Sequence, residues 1–431
     1  MAAIHQQGSS PLIRLSLRSG LYYGWFVVAV CLLVSMVGMG TRMASGVMVK
    51  PLEGEFGWDR ASISLALAIG LIANGLGAPF GGRLVDRFGP RLVAVTAIAG
   101  TILATVGTIL MHTIFELTVW WGLVAGIASG ALGATLGAVV ANRWFVARRG
   151  LVTGLLGGGA SAGQLIFIPI LMNLTTAIDW RAALLMMVSL LVILLPITYF
   201  VMRDRPSSIG LEPYGAESAS ASTMAAMTRS TPLSVALRTG DFWLLAFSFF
   251  VCGFTSVGLI GTHFIPHAIE YGFTEAVAAS TLALIGALNI VGTLSSGYLT
   301  DRFNPRLLLA MYYGLRSASL VMLPAITSET GLWIFAVIFG LDFIATVPPT
   351  AALTADRFGK ASLGTIFGWI VFSHQVGSAA AAWGAGAMRV WLGDYTLAFI
   401  AAAAVGFVAA ALCPRIAANW KPEEQAAPAT A

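Results

Sequence analysis

The chain runs to 431 residues, of which 58% are hydrophobic and only 10% charged, at a mean hydropathy of +0.85. A soluble domain carries about 25% charged residues, so this sequence has too little charge to coat water-soluble domains, and lipid must solvate most of its surface. That excludes a cytosolic enzyme, a secreted disulfide scaffold and a disordered protein, and the formal net charge of +5 is explained by membrane topology, with no nucleic-acid partner expected. The 48 glycines suit helices packed closely in a bilayer.

Arg14 and Arg18 lead into an apolar run of about 26 residues without a small-residue cleavage site, which predicts a spanning helix rather than a signal peptide. Segments long enough to cross a bilayer, about 20 residues each, recur to the end of the chain. Twelve are predicted, near 22–49, 61–82, 92–112, 116–141, 150–172, 181–202, 242–267, 276–299, 306–326, 331–355, 362–388 and 395–414. The alternating pattern of a membrane barrel is absent, so the predicted fold class is an all-α membrane protein of twelve transmembrane helices in two pseudo-symmetric six-helix bundles. The organisation reads as a tail (1–21), a first bundle (22–202), a linker (203–240), a second bundle (241–414) and a tail (415–431). The linker's middle, Ala216 to Ser230, is rich in Ala, Ser and Thr and reads as flexible. Cys31, Cys252 and Cys413 each sit in an apolar run and read as small hydrophobes, with no disulfide, metal site or cofactor.

With the N terminus in the cytoplasm, eighteen of the 24 Lys and Arg residues fall in inner segments, among them Arg83, Arg91, Arg143, Arg149 and Lys360. Four fall outside: Lys50, Arg60, Arg181 and Arg389. The positive-inside rule therefore predicts both termini on the cytoplasmic side of the plasma membrane. The remaining two, Arg42 and Arg316, lie within spans.

The two halves repeat. Gly82-Arg-Leu-Val-Asp86-Arg87-Phe88-Gly-Pro90-Arg91 after the second span recurs as Gly297-Tyr-Leu-Thr-Asp301-Arg302-Phe303-Asn-Pro305-Arg306 after the eighth. Ala141, Arg143, Gly154 and Gly163 recur as Ala355, Arg357, Gly368 and Gly377. Two bundles in the same orientation, related by an axis along the membrane normal, follow. Gly82 and Gly297 allow close helix approach. Asp86 and Asp301 can cap a neighbouring helix N-terminus or pair with an arginine across the bundle interface. The glycines of spans four and five (Gly126, Gly130, Gly133, Gly137, Gly154, Gly158, Gly159, Gly163) are packing faces, since no Lys-Ser/Thr ending or preceding strand supports a phosphate loop.

The Gly-x-x-x-Asp-Arg-x-Gly-x-Arg loop, duplicated in a 6+6 chain, resembles the major facilitator superfamily. Val49 to Trp58, Arg143 to Gly150, and Gly261-Thr262-His263-Phe264-Ile265-Pro266 resemble its monocarboxylate transporter and oxalate:formate antiporter branch. The resemblance implies alternating access and transport of small carboxylates, commonly with a proton. One departure matters: members of that branch carry an Asp and an Arg four residues apart in span eight, where this chain has Asn289 and Thr293.

Ionisable groups in hydrocarbon cost about 2.5 kcal/mol or more unless paired or facing a water-filled cavity. They are few: Arg42, His263, Arg316, Asp342 and His374, with Asn74, Gln164, Asn289 and Gln375 as polar company. Arg42 lies eight residues before Lys50, hence roughly 12 Å inside the outer end of its span at about 1.5 Å per residue. Its planar guanidinium suits a two-oxygen anion, and the resemblance implies a substrate-engaging cation near this position, one residue away. The alternative is that it snorkels or meets a carbonyl. His263 and His374 are each either cavity groups able to gain charge or structural histidines on a helix carbonyl. Asn289 and Gln164 complete the candidate substrate-binding set. Pro266, Pro324, Pro348 and Pro349 interrupt spans seven, nine and ten. Arg316 and Asp342 fall at compatible depth and are expected to pair, either as a structural stitch or as a proton-coupling pair.

The leading expectation is a monomeric secondary transporter of a small organic anion, proton-coupled or an exchanger. Efflux of an amphipathic drug fits less well, because the cavity candidates are mainly basic. A transporter-like sensor would need an output domain. Enzyme function is disfavoured by the lack of paired carboxylates, metal spacing or a nucleophile elbow.

Overall fold

The structure is a computed structural model that describes residues 21–216 and 230–417, less the side chains of 60 and 61. The expectations for the N-terminal tail, the linker's middle and the C-terminal tail lie outside those residues.

Twelve helical spans carry the described chain: α1 Gly24–Phe56, α2 Arg60–Phe88, α3 Pro90–Ile109, α4 Ile114–Trp144, α5 Arg149–Ala177, α6 Trp180–Val201, α7 Gly240–Glu270, α8 Glu275–Thr300, α9 Pro305–Met322, α10 Glu329–Phe358, α11 Leu363–Leu392 and α12 Thr396–Leu412. Lipid offers no partner for backbone polar groups, so each span satisfies its own. Eleven are apolar enough to cross a membrane on length and composition alone. The twelfth, α11, is 30 residues long, and its hydropathy is lowered by Ser373, His374, Gln375 and Ser378 in its middle. Polar residues begin the spans where they meet water: Asp59 caps α2, Thr113 and Glu116 form a capping box on α4, and Thr239, Thr274 and Ser328 cap α7, α8 and α10.

Helix α1 runs a turn or more beyond its expected end, because Lys50, Pro51 and Glu53 continue the helix to a left-handed Gly57 at φ 66°. Arg42 is therefore about 21 Å from that end at about 1.5 Å per residue, not the roughly 12 Å that Lys50 suggests. Three spans are irregular. Helix α4 contains a π segment, Thr118–Ala125, and breaks at Leu132 and Gly133. Helix α7 contains a π segment, Phe254–Ile260, ahead of Pro266, which the following α-helix accommodates. Helix α10 breaks between Asp342 and Val347, where Pro348 and Pro349 have no N–H to continue the ladder. Pro324 sits in the 3₁₀ turn that ends α9.

The packing is doubled. In the first bundle α1 lies on α5 and α6, and α4 on α2 and α3; in the second α7 lies on α11 and α12, and α10 on α8 and α9. The bundles meet along α5 with α8 and α2 with α11. At the end that bears Leu21 and Ala417 these contacts are backbone-close. A Cβ on Gly82 would overlap the carbonyl of Gly364, and one on Gly150 that of Gly297, so glycine alone allows the approach. Toward the other end the bundles part. Gly75 still meets Gln375, but Gly70 faces Gly122 and Gly163 faces Met36 within one bundle, Gly386 faces His263 within the other, and Gly286 and Gly384 have nothing within 4 Å. The result is a cleft between two bundles, shut at the terminus-bearing end.

Candidate functional site

The shut end is built from the repeated loop motif. Asp86 accepts from the backbone N–H groups of Gly364 (3.0 Å) and Thr365 (2.7 Å), capping α11 of the opposite bundle. Asp301 accepts from Gly150 (2.7 Å) and Leu151 (2.9 Å), capping α5 of the opposite bundle. Helix N-termini carry partial positive charge and unpaired N–H groups, so both carboxylates meet complementary partners. Arg149 adds a bidentate bridge to Asp356 at 2.7 and 2.9 Å, and Arg143 approaches Asp86 at 4.0 Å. Arg87 and Arg302 behave differently from their aspartates. Both are exposed and stack on Phe88 and Tyr298, and neither makes an ion pair among the described residues. The lock uses the motif's glycines and aspartates together with arginines from elsewhere.

One level deeper, two polar clasps join the bundles. Gln375 on α11 donates to Asn74 on α2 at 3.0 Å, and Asn289 on α8 donates to Ser161 on α5 at 2.7 Å. The pairs are equivalent under the repeat: Asn74 corresponds to Asn289 and Ser161 to Gln375. They form the floor of the cleft. Sequence reasoning named the asparagines and Gln375 but missed Ser161 and the pairing, although the repeat offset was a usable signal. Each clasp is one hydrogen bond with a net value of about 1 kcal/mol. Asn74→Ala together with Asn289→Ala is expected to shift the balance toward opening of the shut end by on the order of tenfold. The check is the spin-label distance between cysteines replacing the exposed Phe88 and Phe303, one on each bundle.

Above the floor stands Arg42. Its side chain lies deep within the protein mass but is only half-buried, and its guanidinium makes no hydrogen bond or ion pair among the described residues. Gly38 and Gly46, one turn to either side on the same helix face, have nothing within 4 Å of a Cβ position. Arg42 thus projects between two glycines into open space. Gln164 on α5 is exposed and likewise without a hydrogen-bond partner.

The structure does not give the two histidines equal standing with Arg42. His263 is buried, its Nε2 is 2.9 Å from the carbonyl of Ala382, and its ring lies against Tyr395. That is the structural alternative, because the imidazole is committed to α11 and α12. His374 is half-buried, with Nδ1 3.3 Å from Gln375 Oε1 and its ring on Phe249, so it backs the Asn74 clasp. Asn289 is also engaged: Oδ1 accepts from Ile344 N (3.1 Å) and from the Thr293 hydroxyl (3.1 Å).

Arg316 and Asp342 do meet, with Nε to Oδ2 at 2.7 Å and both side chains buried. The rest of the guanidinium is occupied too. Nη1 donates to Cys252 Sγ and Thr255 Oγ1 at 3.3 Å each, and Nη2 to the carbonyls of Asp342 (2.5 Å) and Phe343 (3.2 Å). Ser296 donates to the carbonyl of Ala345. The α10 break leaves carbonyls without helical partners, and Arg316 and Ser296 supply them. The ion pair is a staple across a broken helix.

A cleft between two six-helix bundles, closed by duplicated caps at one end, defines a membrane carrier. The chain belongs to the Major Facilitator Superfamily, whose family model matches residues 30–382, and it is a transporter rather than an enzyme. Its relatives include monocarboxylate transporter 13 of Rattus norvegicus, 26% identical over 89% of this chain and 86% of that one. The oxalate:formate antiporter of Oxalobacter formigenes is 22% identical over 90% of each chain. An uncharacterized MFS-type transporter, YcxA, of Bacillus subtilis is 26% identical over 86% of this chain and 87% of that one. Among solved structures, the fold is similar to the proton:xylose symporter XylE (TM-score 0.73, 16% identity, 92% of this chain and 96% of that one). It is also similar to the human organic anion transporter MFSD10 (TM-score 0.68, 16% identity, 90% and 99%).

Proposed function

We propose that this protein moves a small organic anion, a monocarboxylate, across the plasma membrane by alternating access, with both termini in the cytoplasm. The carrying observation is Arg42: a guanidinium within a membrane span, unpaired among the described residues, half-open and flanked by glycines. An uncompensated charge there is costly unless water or a ligand reaches it, and a carboxylate can take two parallel N–H donors from it. The named activities of the monocarboxylate transporter and the oxalate:formate antiporter are those of carboxylate carriers, which supports the same reading. In this state the cleft opens away from the cytoplasm. Movement of the anion requires the caps at Asp86 and Asp301 and the two clasps to part while the opposite ends of the bundles close.

The driving partner is a proton or a counter-anion. In proteoliposomes a preloaded anion accelerates an exchanger, whereas an imposed pH gradient accelerates a symporter. A screen of short mono- and dicarboxylates by thermal stabilisation, wild type beside Arg42→Ala, tests the substrate class. Stabilisation by monocarboxylates that the variant loses supports the reading. Stabilisation by amphipathic cations alone overturns it in favour of drug efflux.

A further inference from the structure

The turn between α10 and α11, Lys360–Ser362, sits at the bundle interface, packed against the ends of α2 and α4 from the first bundle and of α10 and α11 from its own. Lys360 is 6% exposed, and its Nζ has no hydrogen-bond partner among the described residues. A buried lysine without an acceptor is rare, because the ammonium form loses its hydration and gains nothing in return. The acceptors nearby are already used. Asp356 gives both oxygens to Arg149, and Asp86 gives both to the backbone of α11. Apart from these aspartates, the charged groups at the ends of these elements that face the turn are cations: Arg83 and Arg87 on α2, Arg143 on α4, Arg148 and Arg149 at the start of α5, and Arg357 on α10. Helix α11 contributes no charged group in its first turns.

We propose that Lys360 is a proton-binding sensor of the cytoplasmic gate, neutral while the gate is shut and protonated when it opens. The proposal rests on alternating access, since separation of the bundles is what exposes the amine. Burial, reinforced by Arg149 and opposed by Asp356, pulls the Lys360 amine down to about 7 in the shut state, whereas an exposed lysine titrates near about 10.4. The open state therefore binds the proton more tightly. Low cytoplasmic pH favours opening, and rising pH through neutrality favours closure. The proton enters and leaves from the same side, so it regulates the gate and is not itself carried across.

The test is the Phe88→Cys/Phe303→Cys spin-label pair in nanodiscs, read by distance distribution between about pH 6 and about pH 8.5; the native cysteines are buried. In the Lys360 wild-type background the open fraction relative to closed is expected to fall on the order of tenfold across that range. Lys360→Met, which keeps the stem and removes the amine, should be closed at every pH. Lys360→Arg, which stays charged, should be more open at every pH. A Lys360→Met protein that follows pH as the wild type does overturns the sensor while leaving alternating access standing. If no second distance appears in any variant, with substrate or with the Asn74→Ala/Asn289→Ala pair, alternating access fails and the sensor with it.

Discussion

If the proposed anion site is right, Arg42→Ala is expected to abolish anion uptake and to leave the protein at least as stable as the wild type. Removing one partner of a desolvated charge pair costs about 2–5 kcal/mol of binding, which corresponds to a loss of affinity of roughly 30-fold to several thousandfold. The fold is expected to gain rather than lose, because the guanidinium has no partner among the described residues to leave behind and an uncompensated charge within a span is costly to the fold. A structural arginine would give the opposite result, a lower melting temperature. Arg42→Lys keeps the charge but not the two-donor fork, so it should retain a small part of the activity. Radiolabelled uptake in proteoliposomes beside thermal unfolding separates the two roles. Full transport by the alanine variant would remove Arg42 from the site.

The second large effect is on folding. Arg316→Gln or Asp342→Asn alone leaves a buried charge without its partner, a loss of about 3–5 kcal/mol. Arg316→Gln also removes the side-chain donor from the carbonyls of Asp342 and Phe343 at the α10 break, leaving the Asp342 carbonyl only the Ala345 N–H. Both single variants are expected to express poorly and unfold early, with the arginine variant the worse. The double variant Asp342→Asn/Arg316→Gln should recover most of the Asp342→Asn deficit, because no bare charge remains, but not the carbonyl staple. The measurement is yield of monodisperse protein and melting temperature in detergent. A well-folded Asp342→Asn protein that has lost only its response to a pH gradient would make the pair a coupling site instead.

How far each feature could be read from the chain depends on how far apart its parts lie. The class of protein was legible because transfer of charge into lipid is expensive at every position, so composition and span length report it directly. The twofold architecture was legible because a duplicated sequence leaves Gly82, Asp86 and Asp301 at matching offsets. Arg42 stood out as a cation within an apolar span. His263 stood out too, but the choice between cavity and core turns on a single contact with Ala382, and spacing along α7 carries no information about a residue 119 positions away.

By itself, then, the sequence determined the solvent, the number of spans, the repeat and the short roster of polar groups inside the membrane. The tertiary structure alone decided their partners: Asp86 on α11 and Asp301 on α5, Gln375 on Asn74, Asn289 on Ser161, Arg316 on a broken α10. It also decided which groups were left over. Lys360 reads in sequence as an ordinary topogenic charge and is found sealed between bundles, while Arg42 faces open space. The physical reason is that burial cost is set residue by residue, whereas the acceptor that relieves it is supplied by packing between helices hundreds of residues apart.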